Sequence, residues 1–325
     1  MKIPDRKGER MIKAKHLEKG HTIGVISPSS PSETRSEIPR AVEYIEAMGY
    51  RVVLGKNVNK CHGFTAASEA ERTDDLNEMF RRDDVDAIFV TQGGYGSAQL
   101  IDRIDYDAIA KNPKIFTGFS DLTSLHMAIG RFAGLVTFHG PGMARFNTRD
   151  LTEYTKEYFF KAIGQTSPIG EIPLADVKKW LYTIAPGKSE GILTGGNLTL
   201  VCATLGTRYE VDTAGKILLL EEVETEPWII DHSLSHLRNA GKLEGVAGVL
   251  VGECKDCVPR KHDPGFYSDV GVEEVFEYYL KDLGVPVLYG LPLGHTEDLA
   301  TLPMGVMTRL DADQKKFEVL ESGVL

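Results

Sequence analysis

KIFTGFSDLTSLHMAI (residues 114–129) decides how the first half of the chain folds. A short apolar run stops at Gly118-Phe119-Ser120, and from Asp121 onward apolar residues recur at helical spacing. That pattern reads as a buried strand, a tight turn and a helix. The same unit repeats on both sides. TIGVISP (22–28) is an apolar run ending in Ser-Pro, followed by helical spacing over 36–49 and a strand at YRVVLG (50–55). AASEAERTDDLNEMFRRDD (66–84) is a charged helix leading to the strand VDAIFVTQ (85–92), which feeds the glycines of GGYG (93–96); LVTFHG (135–140) is a further strand. Continuous apolar strands alternating with amphipathic helices predict a parallel sheet covered on both faces. Ligands on such sheets sit beyond the carboxyl ends of the strands, where the Ser27–Ser30 stretch, the GGYG loop, Ser120 and His139 all fall.

From about 146 to 188 the pattern becomes polar, aromatic and irregular, a connecting segment with one helix. A second alternating region follows. GILTGGN leads into a helix, KILLLEEV (216–223) is a strand, PWIIDHSLSHLRNAG (227–241) is a helix opened by Pro and closed by Gly, and VAGVLVGEC (246–254) is a strand. The tail reads as a hairpin around Asp311. The expected division is an extension over 1–20, a first domain over 21–145, the connecting segment over 146–188 and a second domain over 189–325.

The chain has 325 residues, enough for two domains, with ordinary apolar and charged content. A net charge of −10 gives no electrostatic footprint for a nucleic acid polymer or an anionic membrane surface. No apolar run reaches the roughly 18 residues of a membrane span. The basic N-terminus lacks the apolar core of a signal peptide, so cytoplasmic residence is the default expectation. Four cysteines, Cys61, Cys202, Cys254 and Cys257, are too few for a disulfide framework and read as reduced thiols.

Several positions carry candidate chemistry. GGYGSAQ (93–99) is no dinucleotide fingerprint, because Gln99 stands at the third glycine position, and there is no Walker lysine. It is either a tight strand-to-helix turn or a loop whose backbone N–H groups face an anion or oxyanion. GFSDL (118–122) resembles a nucleophile elbow without its second glycine, Leu122 standing there. Ser120 is equally a helix cap, worth about 1 kcal/mol, and local sequence leaves both readings open. Glu221 and Glu222 end an apolar strand, and His295 lies in a Gly-Pro-rich loop after a later strand. Each alone is a weak signal; Ser, Glu and His at three strand ends are the set that nucleophilic acyl transfer requires. The competing class is a zinc-stabilised binding protein, with His232 and His236 four apart on a helix and Cys254 and Cys257 in a CxxC. Those cysteines also suit a buried strand end as small apolar filler. His126 reads as packing, His139 as structural or as a rim residue, and Trp180 with Tyr182 as packing or as the lining of a cleft.

Taken together, TIGVISPSSP, GGYGSAQLIDRIDYDAI, FTGFSDLTSLH, FHGPGM, LTGGNLTLV, LLLEEVETEPWIIDHSL and GLPLGHTEDLATLPMG follow a specific order and spacing. The chain resembles the LD-carboxypeptidase family of serine peptidases, which includes the microcin C immunity peptidases, over nearly its whole length from about Gly20. The resemblance implies an α/β chain with an N-terminal parallel-sheet, Rossmann-like domain, a C-terminal mixed α/β domain and a cleft between them. It implies that Ser120 is the nucleophile, Glu221 and His295 complete the triad, and the backbone N–H groups of Gly94 and Asp121 form the oxyanion hole. Tyr95, His139, Trp180 and Asn197 are the candidate substrate contacts. No metal or cofactor is expected. The implied substrate is a small peptide or peptide conjugate, typically a cytoplasmic muropeptide cleaved between an L-centre and a D-residue, and the implied assembly is a homodimer. Gln92 and Gln99 stand where the family commonly has basic residues, and the FHGPGM stretch is longer than the expected His-Gly-Pro-Met; loss of two guanidinium groups leaves the machinery in place but changes what it can recognise.

Overall fold

The computed structural model describes residues 5–6, 8, 10–34, 36–147, 151–176, 179–259 and 269–325. Parts of the connecting segment, 148–150 and 177–178, thus lie outside the described residues. In chain order the elements are β1 (Thr22–Ile26), α1 (Glu37–Ala47), β2 (Arg51–Leu54), α2 (Glu69–Arg81), β3 (Ala87–Val90), α3 (Tyr106–Lys111), β4 (Ile115–Gly118), α4 (Thr123–Phe132), β5 (Thr137–His139) and α5 (Glu153–Gly164). There follow β6 (Gly170–Glu171), β7 (Tyr182–Ala185), β8 (Lys188–Asn197), α6 (Leu198–Ala203), β9 (Lys216–Glu221), α7 (Pro227–Asn239), β10 (Gly248–Gly252), α8 (Val272–Leu280), β11 (Val287–Leu291), β12 (Leu302–Met304), β13 (Met307–Asp311) and β14 (Lys316–Val319).

The chain forms two compact units. The first, residues 1–169, 300–306 and 321–325, carries a six-stranded sheet of order β12-β5-β4-β3-β1-β2. All neighbours pair in parallel except β12, which runs antiparallel to β5 with Leu302 opposite His139. Strands β1, β3, β4 and β5 are buried at every residue, as their unbroken apolar runs require, whereas the edge strand β2 is partly exposed. The order reverses between β1 and β3, so the loops leaving those two strands diverge and open a crevice at the carboxyl edge. Helix α2 is opened by a capping box: Glu71 N donates to Ser68 Oγ and Ser68 N donates to Glu71 Oε2.

The second unit, residues 170–299 and 307–320, carries an eight-stranded mixed sheet of order β6-β14-β13-β8-β9-β10-β11-β7. Its centre, β8-β9-β10-β11, is parallel, and antiparallel strands extend it on both sides. The expected tail hairpin is β13-β14. Among the described residues no helix is long and apolar enough to cross a membrane.

Candidate active site

In the first unit, β4 ends at Gly118 and the chain turns through Phe119 into a 3-10 turn over Ser120–Leu122 before α4 begins at Thr123. Ser120 has φ +64°, a left-handed backbone that costs a residue with a Cβ on the order of 1 kcal/mol. It is not the N-cap of α4; that position is Leu122, which has no side-chain cap. Serine at a cap would hold an extended backbone, so the local geometry is that of a strained strand-to-helix elbow.

The residue beside it organises the rim. Asp121 is buried, and its Oδ2 accepts from Ser29 Oγ at 2.5 Å and from Ser97 N at 2.8 Å, while its carbonyl accepts from Ser97 Oγ. One carboxylate thus ties the loop after β1, the loop after β3 and the serine turn together. The GGYG loop is held from the other side by Ser30, whose N donates to Gly93 O at 3.3 Å and whose Oγ accepts from Tyr95 N at 3.1 Å. Because C=O and N–H of a trans peptide point in opposite directions, tying the Gly93 carbonyl to Ser30 turns the Gly94 N–H the other way. Gly93 lies directly against the serine: a Cβ there would be 3.0 Å from Ser120 Cβ and 3.3 Å from Ser120 Oγ.

His126 and His139 lie beneath this rim, both buried. His126 Nε2 donates to Gly118 O at 2.7 Å, and burial pushes its pKa down to about 3, so it packs as a neutral ring. His139 sets its ring edge-on to Phe119 at 6.0 Å, and the Arg145 guanidinium covers Phe119 at 5.7 Å. Tyr95 is half exposed and meets Phe64 edge-on at 5.0 Å.

In the second unit, β9 and the loop after β11 bring Glu221 and His295 together: Glu221 Oε2 is 2.8 Å from His295 Nδ1. Glu221 is wholly buried, and its Oε1 has no hydrogen-bond partner. A carboxylate only accepts, so Nδ1 is the donor in this bond. Glu222 serves a different purpose. Its carboxylate accepts from Thr199 Oγ1 at 2.6 Å, Thr199 N at 3.1 Å and Asn197 Nδ2 at 3.1 Å, pinning the start of α6. Asn197 Oδ1 caps that helix by accepting from Leu200 N, so its side chain is engaged in the structure around the glutamates. Trp180 is largely exposed and stacks on Tyr182 at 4.9 Å and 18°.

The zinc set of the competing reading does not assemble. His232 and His236 are exposed on α7, whose buried face is Ile230, Leu234 and Leu237, whereas Cys254 and Cys257 are buried after β10. Among the described residues no group of three or more His, Cys, Asp or Glu side chains is placed to hold a metal ion.

Sequence reasoning missed Arg72, which is buried against the GGYG loop. Its signal was present: Arg72 stands at i, i+4, i+7 and i+8 spacing with the core residues Leu76, Met79 and Phe80 of α2.

A sequence profile described as the LD-carboxypeptidase N-terminal domain matches residues 23–140, and the profile of the LD-carboxypeptidase C-terminal domain matches residues 190–310. The chain belongs to the LD-carboxypeptidase family. It is a serine-type carboxypeptidase of that family. It is 39% identical over 313 residues to the probable murein peptide carboxypeptidase of Bacillus subtilis strain 168, covering 96% of this chain and 95% of that one. It is 30% identical over 334 residues to the microcin C7 self-immunity protein MccF of Escherichia coli, 94% of each chain. The wild-type apo structure of MccF aligns with a TM-score of 0.87 at 28% identity, over 97% of this chain and all of that one. The muramoyltetrapeptide carboxypeptidase of Oxalobacter formigenes aligns with a TM-score of 0.78 at 27% identity, over 92% and 97%. Both LD-carboxypeptidase domains and the mixed α/β architecture expected from the motifs are therefore present.

Proposed function

We propose that this carboxypeptidase hydrolyses the amide bond between an L-centre and a terminal D-residue of muropeptides, with Ser120 as nucleophile. Ser120 Oγ attacks the scissile carbonyl carbon while His295 Nε2 takes its proton. Glu221 holds the imidazole in the required tautomer and stabilises the imidazolium. The backbone N–H groups of Gly94 and Asp121 receive the oxyanion. The proton passes to the leaving amine, and water, activated by the same histidine, hydrolyses the acyl-enzyme. The observation that carries this reading is the φ of +64° at Ser120, which a capping serine does not need and an exposed nucleophile at an elbow does. The 39% identity to a probable murein peptide carboxypeptidase supports the muropeptide as substrate. A cytoplasmic homodimer is the working form we propose, on the family resemblance.

A second reading has its own observation. MccF has been solved with aspartyl sulfamoyl adenosine and with adenosine monophosphate. Here the exposed Trp180–Tyr182 stack offers an aromatic face of the kind that carries a nucleobase.

Incubation with a muropeptide tetrapeptide and, separately, with an aminoacyl-sulfamoyl adenosine, read by mass spectrometry, tests both. Loss of one D-alanine from the tetrapeptide is expected. Turnover of the nucleoside conjugate alone moves the assignment to the second reading, and no product from either, with folded protein, sinks both.

A further inference from the structure

Arg72 is 2% exposed; of the other charged residues of α2 only Asp75 is also buried. Its guanidinium is taken up by four acceptors from three segments. Nε donates to Ala67 O at 3.0 Å, Nη1 to Pro28 O at 2.6 Å and Gly96 O at 2.8 Å, and Nη2 to Gln99 Oε1 at 2.5 Å. It therefore joins the loop after β1, the entry to α2 and the GGYG loop. The contact with the last is close: a Cβ on Gly96, which has φ +113°, would stand 2.9 Å from Nη1.

Arg72 and Asp121 grip opposite ends of a single peptide unit. The carbonyl of Gly96 accepts from Arg72, and the N–H of the following residue, Ser97, donates to Asp121 Oδ2 at 2.8 Å. Rotation of that peptide breaks one charge-assisted bond or both, so its plane is fixed more firmly than backbone bonding alone achieves. The fixed peptide ends the loop that begins at Gly93 and Gly94, against Ser120. The other grip, Asp121, is the residue after Ser120.

We propose that Arg72 is a positioning residue for the hydrolysis: by fixing the Gly96–Ser97 peptide, its fork of donors sets where the Gly94 N–H points when charge develops on the scissile oxygen. This rests on the reading of Ser120 as nucleophile and of Gly94 as an oxyanion donor. A buried arginine with a purely structural task would, when replaced, lower stability and the amount of active enzyme. A positioning arginine lowers kcat per folded molecule and leaves KM in place, because the lost alignment matters in the transition state.

The test uses the whole chain and steady-state hydrolysis of a muropeptide tetrapeptide. Arg72→Lys keeps a cation on a flexible stem but has one nitrogen, which cannot reach all four acceptors. It is expected to lower kcat on the order of 10²-fold, the scale of one misplaced oxyanion donor, with KM within about threefold of wild type. Arg72→Ala leaves a space of guanidinium shape. Millimolar guanidinium should raise its kcat about tenfold or more, and urea at the same concentration should not, since only the cation restores charge-assisted bonds. Should Arg72→Ala fail to fold, Gln99→Leu, which removes the Nη2 acceptor, is expected to lower kcat by roughly 3–10-fold at unchanged KM. A kcat for Arg72→Lys within about threefold of wild type overturns the inference, and so does a loss expressed in KM alone. Ser120→Ala, run in parallel, separates the two levels. If it is inactive while the Arg72 variants are normal, only the positioning role falls; if it retains turnover, both fall.

Discussion

Glu221 and His295 meet through one hydrogen bond of 2.8 Å, and nothing else in the described protein bonds to the Glu221 carboxylate. A wholly buried carboxylate is costly unless it is paired, so the histidine and the glutamate depend on each other. Glu221→Gln should make this visible. The amide can donate to Nδ1, which puts the proton on Nε2, the wrong nitrogen for a base. A loss in kcat of at least ~10²-fold is expected with little change in KM, read by steady-state kinetics on the tetrapeptide. Wild-type turnover by that variant would mean that the tautomer does not matter here.

Gly294 leaves no room beside that pair. A Cβ there would stand 2.7 Å from Glu221 Oε2, the oxygen bonded to His295, and 3.2 Å from Glu221 Cβ. Its backbone is outside the left-handed region, so alanine meets no torsional penalty. Gly294→Ala should therefore retain its melting temperature to within a few degrees while kcat drops on the order of tenfold or more, because a half-ångström shift in the carboxylate reaches the imidazole directly. A variant with normal kcat would show that the pair tolerates displacement.

How far these features could be read beforehand differs by residue. The strand, turn and helix around Ser120 follow from local pattern, since apolar runs and helical spacing are properties of neighbours. The sign of φ at Ser120 does not, because serine carries none of glycine's signature and fits a cap as well as an elbow. Glu221 and Glu222 are adjacent, so strand geometry sends them to opposite faces, but which face holds the histidine depends on a loop 74 residues away. The CxxC and HxxxH spacings keep a competing metal reading open for the same reason: they describe short-range geometry, and a metal site needs both pairs in one place. Arg72 was hidden by its company, since one arginine in a charged helix reads as solvated unless its spacing with Leu76 and Phe80 is noticed. The pairing of β12 with β5, Leu302 against His139, is long-range and has no local signal at all.

The backbone at Ser120 predicts a trade of stability against activity. Ser120→Ala and Ser120→Gly should both lose turnover by at least ~10³-fold, as removal of the nucleophile requires. They should differ in stability. Alanine keeps the Cβ at φ +64°, whereas glycine relieves it, so the glycine variant should be the more stable by about 1 kcal/mol despite its looser unfolded chain. That corresponds to a difference of roughly 2–4 °C in melting temperature for a domain of this size. Equal melting temperatures, or a less stable glycine variant, would count against strain at the elbow.

Acid should unfold the first unit partly through His126. The ring is buried under Ser120's turn, its Nε2 bonded to Gly118 O, and its pKa falls from the ordinary 6.5 to about 3, chiefly through burial. Above pH 6.5 neither folded nor unfolded chain holds the extra proton, so the group contributes no pH dependence. Between about 6.5 and 3 the unfolded chain binds a proton that the folded chain refuses, and stability falls as pH falls. From pH 7 to pH 4.5 the loss from this one group amounts to roughly 2–3 kcal/mol, at ~1.4 kcal/mol for each pH unit below 6.5. His126→Gln keeps an N–H for Gly118 O and has no titrating group. Urea unfolding at the two pH values should give a smaller difference for the variant than for wild type by about that amount, whatever the variant costs at pH 7. Equal differences in the two proteins would place the acid sensitivity elsewhere, among the carboxylates, and leave His126 a packing residue only.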